Sequence, residues 1–174
     1  TRKKCLVVDL DNTLWGGVLG EDGLENIDLT KTFNGQKYID FQNYLLNLSN
    51  KGVLLAICSK NNLDDVNECF NKNKDLKLKL NNFSSIKSNW LRKSENIIAI
   101  SKELNIGLDA IVFIDDSEFE QEEVKKNLPD VEVLKVSHVN NFISSIDDSG
   151  FFFLDKETKE DQKKIHQYKL LNKA

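Results

Sequence analysis

The chain predicts an α/β fold, a three-layer α/β/α sandwich around a central parallel sheet, and three observations carry that prediction. Short apolar runs rich in β-branched residues alternate with stretches of helical periodicity. The runs end in polar residues, as at Asp9-Leu10-Asp11-Asn12-Thr13, Ser59-Lys60-Asn61-Asn62 and Asp115-Asp116. At 174 residues, 40% hydrophobic and 30% charged, the chain suits one globular domain with a substantial core.

In order, Cys5 to Leu10 reads as a buried strand, followed by a glycine-bearing segment from Trp15 to Gly23. Tyr38, Phe41, Gln42, Leu45, Leu46 and Leu48 follow helical spacing up to Lys51-Gly52, where the glycine supplies a left-handed cap. Val53 to Cys58 is a second strand. A helix starts near Asn61 or Asn62, with Asp64 and Asp65 favourable in its first turn. Lys72, Lys74, Lys77 and Lys79 around alternating Leu76, Leu78 and Leu80 suggest an edge strand whose lysines discourage sheet-to-sheet pairing, or else a docking patch for an acidic protein. A third helix runs from Ser94 to Leu104, Ile111 to Ile114 is a strand, and a fourth helix runs from Glu118 to Asn127 before Pro129. Val131 to Val136 closes the sheet. Residues 1–150 form the core in this reading. Residues 151–174 form a lysine-rich helical tail, either part of the same domain or the start of a linker.

Composition excludes several classes. A net charge of −4 gives no general pull toward nucleic acid or an anionic membrane, and no apolar run approaches bilayer length. No secretory or transit signal is visible. Cys5, Cys58 and Cys69 are odd in number and form no close pair, which fits a reducing compartment, the cytoplasm. The lack of methionine fits either excision from a longer chain or loss of an initiator residue. His138 and His166 lack partners at metal spacing, which argues against a transition-metal site.

The polar strand ends carry the chemistry. Two carboxylates two positions apart, Asp9 and Asp11, emerge from a hydrophobic strand, repel each other, and need a cation or a division of labour. In open parallel sheets ligands bind outside the carboxyl ends of the strands, so Asp9, Asp11, Ser59, Asp115 and Asp116 are expected to converge on one crevice, with Lys93 joining them. Such carboxylates suit Mg²⁺, which takes oxygen ligands and keeps water and phosphate in its shell. Ser59 before a helix start offers a hydroxyl and free N–H groups to a phosphate, and a lysine ammonium offsets phosphoryl charge.

This set resembles the haloacid dehalogenase (HAD) superfamily of phosphohydrolases and phosphotransferases, with its Rossmann-like sheet. The likeness runs in chain order: Asp9-Leu-Asp-Asn-Thr13, Cys58-Ser59, Lys93 and Asp115-Asp116. The stretches Lys4 to Gly17, Cys58 to Asn62, Asn89-Trp90, Leu104 to Gly107 and Phe113 to Asp116 look like the FkbH-like subfamily (HAD subfamily IIIC), over roughly residues 4–136. Bacterial receiver domains share the residue types in another order, with the acidic pair first.

The resemblance implies roles. Asp9 is the nucleophile that forms an aspartyl-phosphate, and Asp11 protonates the leaving oxygen and then activates water. Mg²⁺ is held by Asp9, Asp115 and the backbone carbonyl of Asp11, with Asp116 in support. Ser59 holds a phosphoryl oxygen, and Thr13, Trp15, Lys60 and Asn61 are expected on the substrate side. The short segments after Trp15 and after Cys69 leave no room for a large cap domain, so the site is expected to be open to a macromolecule. FkbH-like proteins dephosphorylate a glyceryl unit from 1,3-bisphosphoglycerate and load it onto an acyl carrier protein. In that scheme Cys58 is the best-placed acyl acceptor, unless it is a small buried core residue. The alternatives are a plain phosphatase acting on another phosphate ester of a biosynthetic or surface-polysaccharide pathway, and a non-catalytic interaction domain.

Overall fold

The computed structural model describes residues 2–30 and 32–152. Five parallel strands, β1 (Cys5–Val8), β2 (Leu54–Ser59), β3 (Ser85–Ser88), β4 (Ile111–Ile114) and β5 (Glu132–Val133), form one sheet in the order β3-β2-β1-β4-β5. Among the described residues six α-helices accompany them: α1 (Leu19–Asp22), α2 (Phe33–Asn50), α3 (Leu63–Lys72), α4 (Lys93–Leu104), α5 (Glu118–Asn127) and α6 (Phe142–Ser149).

Strand alternation explains the two covered faces. Leu6, Val8, Leu55, Ile57, Val112 and Ile114 point one way, into a core shared with Phe41 and Leu45 of α2, Val66 of α3 and Phe142 of α6. Cys5, Val7, Ala56, Cys58 and Phe113 point the other way, against Ile97, Ile100 and Leu104 of α4 and Val124 of α5. Fully burying a side chain of this size contributes about 1.5–3 kcal/mol. Helix ends are set locally. The Thr32 hydroxyl accepts from the Gly35 N–H at the start of α2, and Ser117 does the same for Glu120 in α5. Beyond α2, Gly52 takes the expected left-handed turn, with φ of 106°.

The strand order reverses direction at β1: the chain runs outward to β2 and β3, then returns to add β4 and β5 on the other side. The register sets Val8 beside both Ile57 and Ile114, and the Asp9 N–H continues the ladder to the Ile114 carbonyl at 3.1 Å. Asp9 and Asp115 therefore leave adjacent strands side by side, at the switch point where a crevice opens.

The lysine-flanked leucines are not an edge strand. Leu78 is buried in the core, and the Lys77 and Leu78 N–H groups donate to Oε1 of Gln42, not to a sheet neighbour. Gln42, wholly buried on α2, also donates from Nε2 to the Leu14 carbonyl at 2.6 Å. The true edge on that side is β3, whose Ser-Ile-Lys-Ser sequence carries one large apolar residue and so gives no strand signal. On the other side the expected strand from Val131 to Val136 shrinks to two residues, and α6 was not anticipated. Between β1 and α2 the structure adds only the four-residue α1 and two isolated bridges, Asp11 to Trp15 and Gly16 to Asp28. Among the described residues no helix is long and apolar enough to cross a membrane. The proposed helix in the tail lies outside the described residues.

Candidate active site

The turn after β1 is built by residues that tolerate it. Asn12 adopts φ of 55°, which its short polar side chain permits, and its Oδ1 accepts from the Gly17 N–H at 2.8 Å. Gly16 exchanges two backbone hydrogen bonds with Asp28, and a Cβ there would lie 3.1 Å from the Asp28 Cβ and 3.2 Å from the Tyr38 ring. The chain thus doubles back and returns donors to Asp11.

At the ends of β1 and β4 lies a buried charged cluster. Lys93, at the first position of α4, reaches Asp9 Oδ1 at 2.8 Å and Asp115 Oδ2 at 2.5 Å. The other Asp115 oxygen accepts from the Ser117 N–H at 2.9 Å. Thr13, wholly buried, places its hydroxyl 3.4 Å from both Asp9 Oδ2 and Asp116 Oδ1. Burial, reinforced by Asp115 and Asp116, pushes the Asp9 carboxyl well above the usual carboxylate range against the pull of Lys93. Asp116 is raised as well, first by burial. Burial would lower the Lys93 pKa, but Asp9 and Asp115 outweigh it and hold the ammonium above the ordinary lysine range. Three carboxylates thus face one ammonium. Oxygens of Asp9, Asp115 and Asp116 lie within 4.8 Å of one another. A hard, oxygen-only, under-neutralised donor set of this kind fits a small divalent cation.

Asp11 sits outside that cluster, held by three donors. Its Oδ1 accepts from Trp15 Nε1 at 3.1 Å and the Leu19 N–H at 2.8 Å, and its Oδ2 accepts from Asn61 Nδ2 at 3.1 Å. At the ends of β2 and β3 the groups are neutral. Ser88 Oγ donates to the Asn61 carbonyl, so the Ser59 hydroxyl, 2.9 Å away, gives its proton to Ser88.

Of the strand-end residues expected together, Asp9, Asp115, Asp116 and Lys93 form the cluster, while Asp11 and Ser59 stand in other relations. Trp15 has no exposed surface; it packs in the core and aims its N–H at Asp11, so it does not line the substrate side. The Asp11 carboxylate is not among the clustered metal donors. Ser59 is fully buried with its proton committed, and Asn61 spends its amide on Asp11. Lys60 pairs with Glu120 at 3.2 Å. Cys58 is fully buried, and burial pushes its thiol up to about 12, which counts against the acyl-acceptor reading on both access and ionisation. Sequence reasoning missed Ser88, whose one signal is a polar residue closing a short strand. It also missed Gln121, whose amide donates to the Asp115 and Val136 carbonyls at 2.7 and 2.9 Å and steadies the end of β4. Nothing in the sequence marks that glutamine.

Among solved structures, the chain is similar to the N-terminal part of the protein BF1531 from Bacteroides fragilis, which contains a phosphatase domain and was crystallised with Mg. The two are 38% identical with a TM-score of 0.81 over 89% of this chain and 41% of that one. The chain thus spans well under half of that structure's length. It also shares its fold with the HAD family enzyme BT-2542 from Bacteroides thetaiotaomicron, solved as a magnesium complex, at 14% identity and a TM-score of 0.58 over 84% of this chain and 98% of that one. An uncharacterised protein from Corynebacterium glutamicum is alike at 14% identity and a TM-score of 0.56, over 88% and 98% of the two chains. No family model and no curated protein matches the sequence.

Proposed function

We propose, from the premise that this chain belongs to the HAD superfamily, that it is a Mg²⁺-dependent phosphohydrolase acting through an aspartyl-phosphate. The observation that carries the reading is the buried Asp9–Lys93–Asp115 arrangement with Asp11 held beside it. Asp9, Asp115 and Asp116, with the backbone carbonyl of Asp11, would hold the ion. When bound, it offsets charge between the carboxylates and an incoming phosphate.

The chain's own residues then divide the work. An Asp9 oxygen attacks phosphorus while the bond to the leaving oxygen breaks, and Asp11 gives that oxygen a proton. Water next attacks phosphorus, Asp11 takes its proton, and the Asp9 carboxylate is released with inorganic phosphate. Lys93 keeps Asp9 and Asp115 in place and offsets charge throughout. For Ser59 to join the phosphate, its buried hydroxyl would have to turn away from Ser88. Of the two finer readings, plain hydrolysis of a phosphate ester needs only residues already at the site. Loading glyceryl onto a carrier loses its internal way-station with the burial of Cys58.

Phosphate release from acetyl phosphate with Mg²⁺ tests the reading. Asp9→Asn is expected to lower it by about 10⁴-fold or more; a variant rate near wild type sinks the mechanism. Mass spectrometry after incubation with 1,3-bisphosphoglycerate and a carrier protein tests the loading reading, which a glyceryl adduct on the carrier would restore.

A further inference from the structure

A groove of about 480 Å³ opens between the first turn of α3 and the loop from β3 to α4. Asn61, Asn62, Asp64, Asp65 and Trp90 are among the residues that line it, Leu63 adds a second apolar side chain, and no basic side chain lines it. Asn61 lines the groove and donates to Asp11, so one side chain links the groove to the proposed acid and base.

Trp90 is 67% exposed and yet fixed. Its Nε1 donates to Asn62 Oδ1 at 2.9 Å, and Asn62 Nδ2 donates in turn to Asp65 Oδ2 at 3.2 Å. At the base of the same loop, Asn89 exchanges amide hydrogen bonds with Asn96 of α4 and accepts from the Leu91 N–H. An indole held open to solvent by hydrogen bonds is a pre-set apolar platform in a polar groove.

The lining selects a chemistry. Amides and carboxylates hydrogen-bond hydroxyls, and the indole face packs against the C–H-rich face of a ring. Two carboxylates without a cation repel a second anionic group. Resting on the phosphohydrolase reading, we propose that this groove is the leaving-group subsite. It takes a neutral or cationic hydroxylated ring, a sugar-like alcohol bearing one phosphate, in preference to any ester with a second phosphate.

The test compares kcat/KM, with Mg²⁺, for a neutral hexose monophosphate, a hexosamine monophosphate, a hexose bisphosphate and acetyl phosphate, which is too short to fill the groove. Both monophosphates are expected to exceed the bisphosphate by about tenfold or more, and Trp90→Ala to cut the hexose monophosphate to acetyl phosphate ratio about tenfold. A preference for the bisphosphate, or a ratio untouched by Trp90→Ala, overturns the proposal. The protein has two tryptophans, one buried, so hexose monophosphate should change the Trp90 fluorescence of Asp9→Asn while hexose bisphosphate does not. If no ester is turned over, the phosphohydrolase reading falls, and this titration still decides the groove: no response to the monophosphate overturns it.

Discussion

The two halves of the crevice are built on opposite principles. At the ends of β1 and β4, Asp9, Asp115, Asp116 and Lys93 crowd buried charge into one place and leave it unbalanced. At the ends of β2 and β3, Ser59, Ser88, Asn61 and Asn62 are neutral and hydrogen-bonded. Asp11 stands on the border, a carboxylate held by Trp15 and Leu19 on one oxygen and by Asn61 on the other. The difference teaches a division of tasks. Unbalanced charge is kept where a cation and a phosphate would settle it, and neutral dipoles hold shape where no counter-ion is needed.

The largest effect should come from the charged half. Lys93→Met leaves three carboxylates with no ammonium, and we expect a fall in turnover of about 10²–10³-fold. In chelator the variant should also lose about 3–5 kcal/mol of stability by urea unfolding, part of it restored by Mg²⁺. A variant as stable as wild type in chelator would mean that the two halves do not differ in stored charge. On the border, Asn61→Ala removes one of three donors to Asp11. The kcat for an alkyl phosphate should fall about tenfold, and that for acetyl phosphate, whose leaving group needs less protonation, by less. Equal losses on both would reduce Asn61 to a structural role. The smallest effect concerns Cys58, on the neutral side. With its thiol at about 12, only about one in ten thousand is ionised at pH 8, so iodoacetamide should spare it in the native protein and label it in urea. The raised value contributes stability below about pH 9, the ordinary thiol range, and that contribution is lost as pH rises through about 12. Native-state labelling of Cys58 would reopen its role as an acyl acceptor.

The charged half was the more legible from sequence. Asp9 and Asp115 follow β-branched apolar runs that read as buried strands, and the fold delivers strand ends to one edge. Helix α5 matches its expected bounds, and α3 and α4 begin within a residue or so of theirs. The neutral half was not legible, because a hydrogen bond between distant residues leaves no periodicity. Ser88 ends a strand too polar to carry a signal, Asn61 is expected as a substrate ligand but donates to Asp11, and Trp15, expected on the substrate side, is buried while Trp90 is exposed. The leucine alternation from Leu76 to Leu80 misled for the same reason: a glutamine on α2, not a strand, takes two N–H groups of that segment.

That glutamine has a consequence for how such chains can diversify. Gln42 ties the turn that follows β1 to the stretch after α3, across helix α2, with one side chain. Three separate pieces of sequence are thereby yoked. A loop exchanged between relatives without its glutamine would arrive with a buried carbonyl and two amides unmatched, so recombination that respects this tie should succeed where exchange of single segments fails.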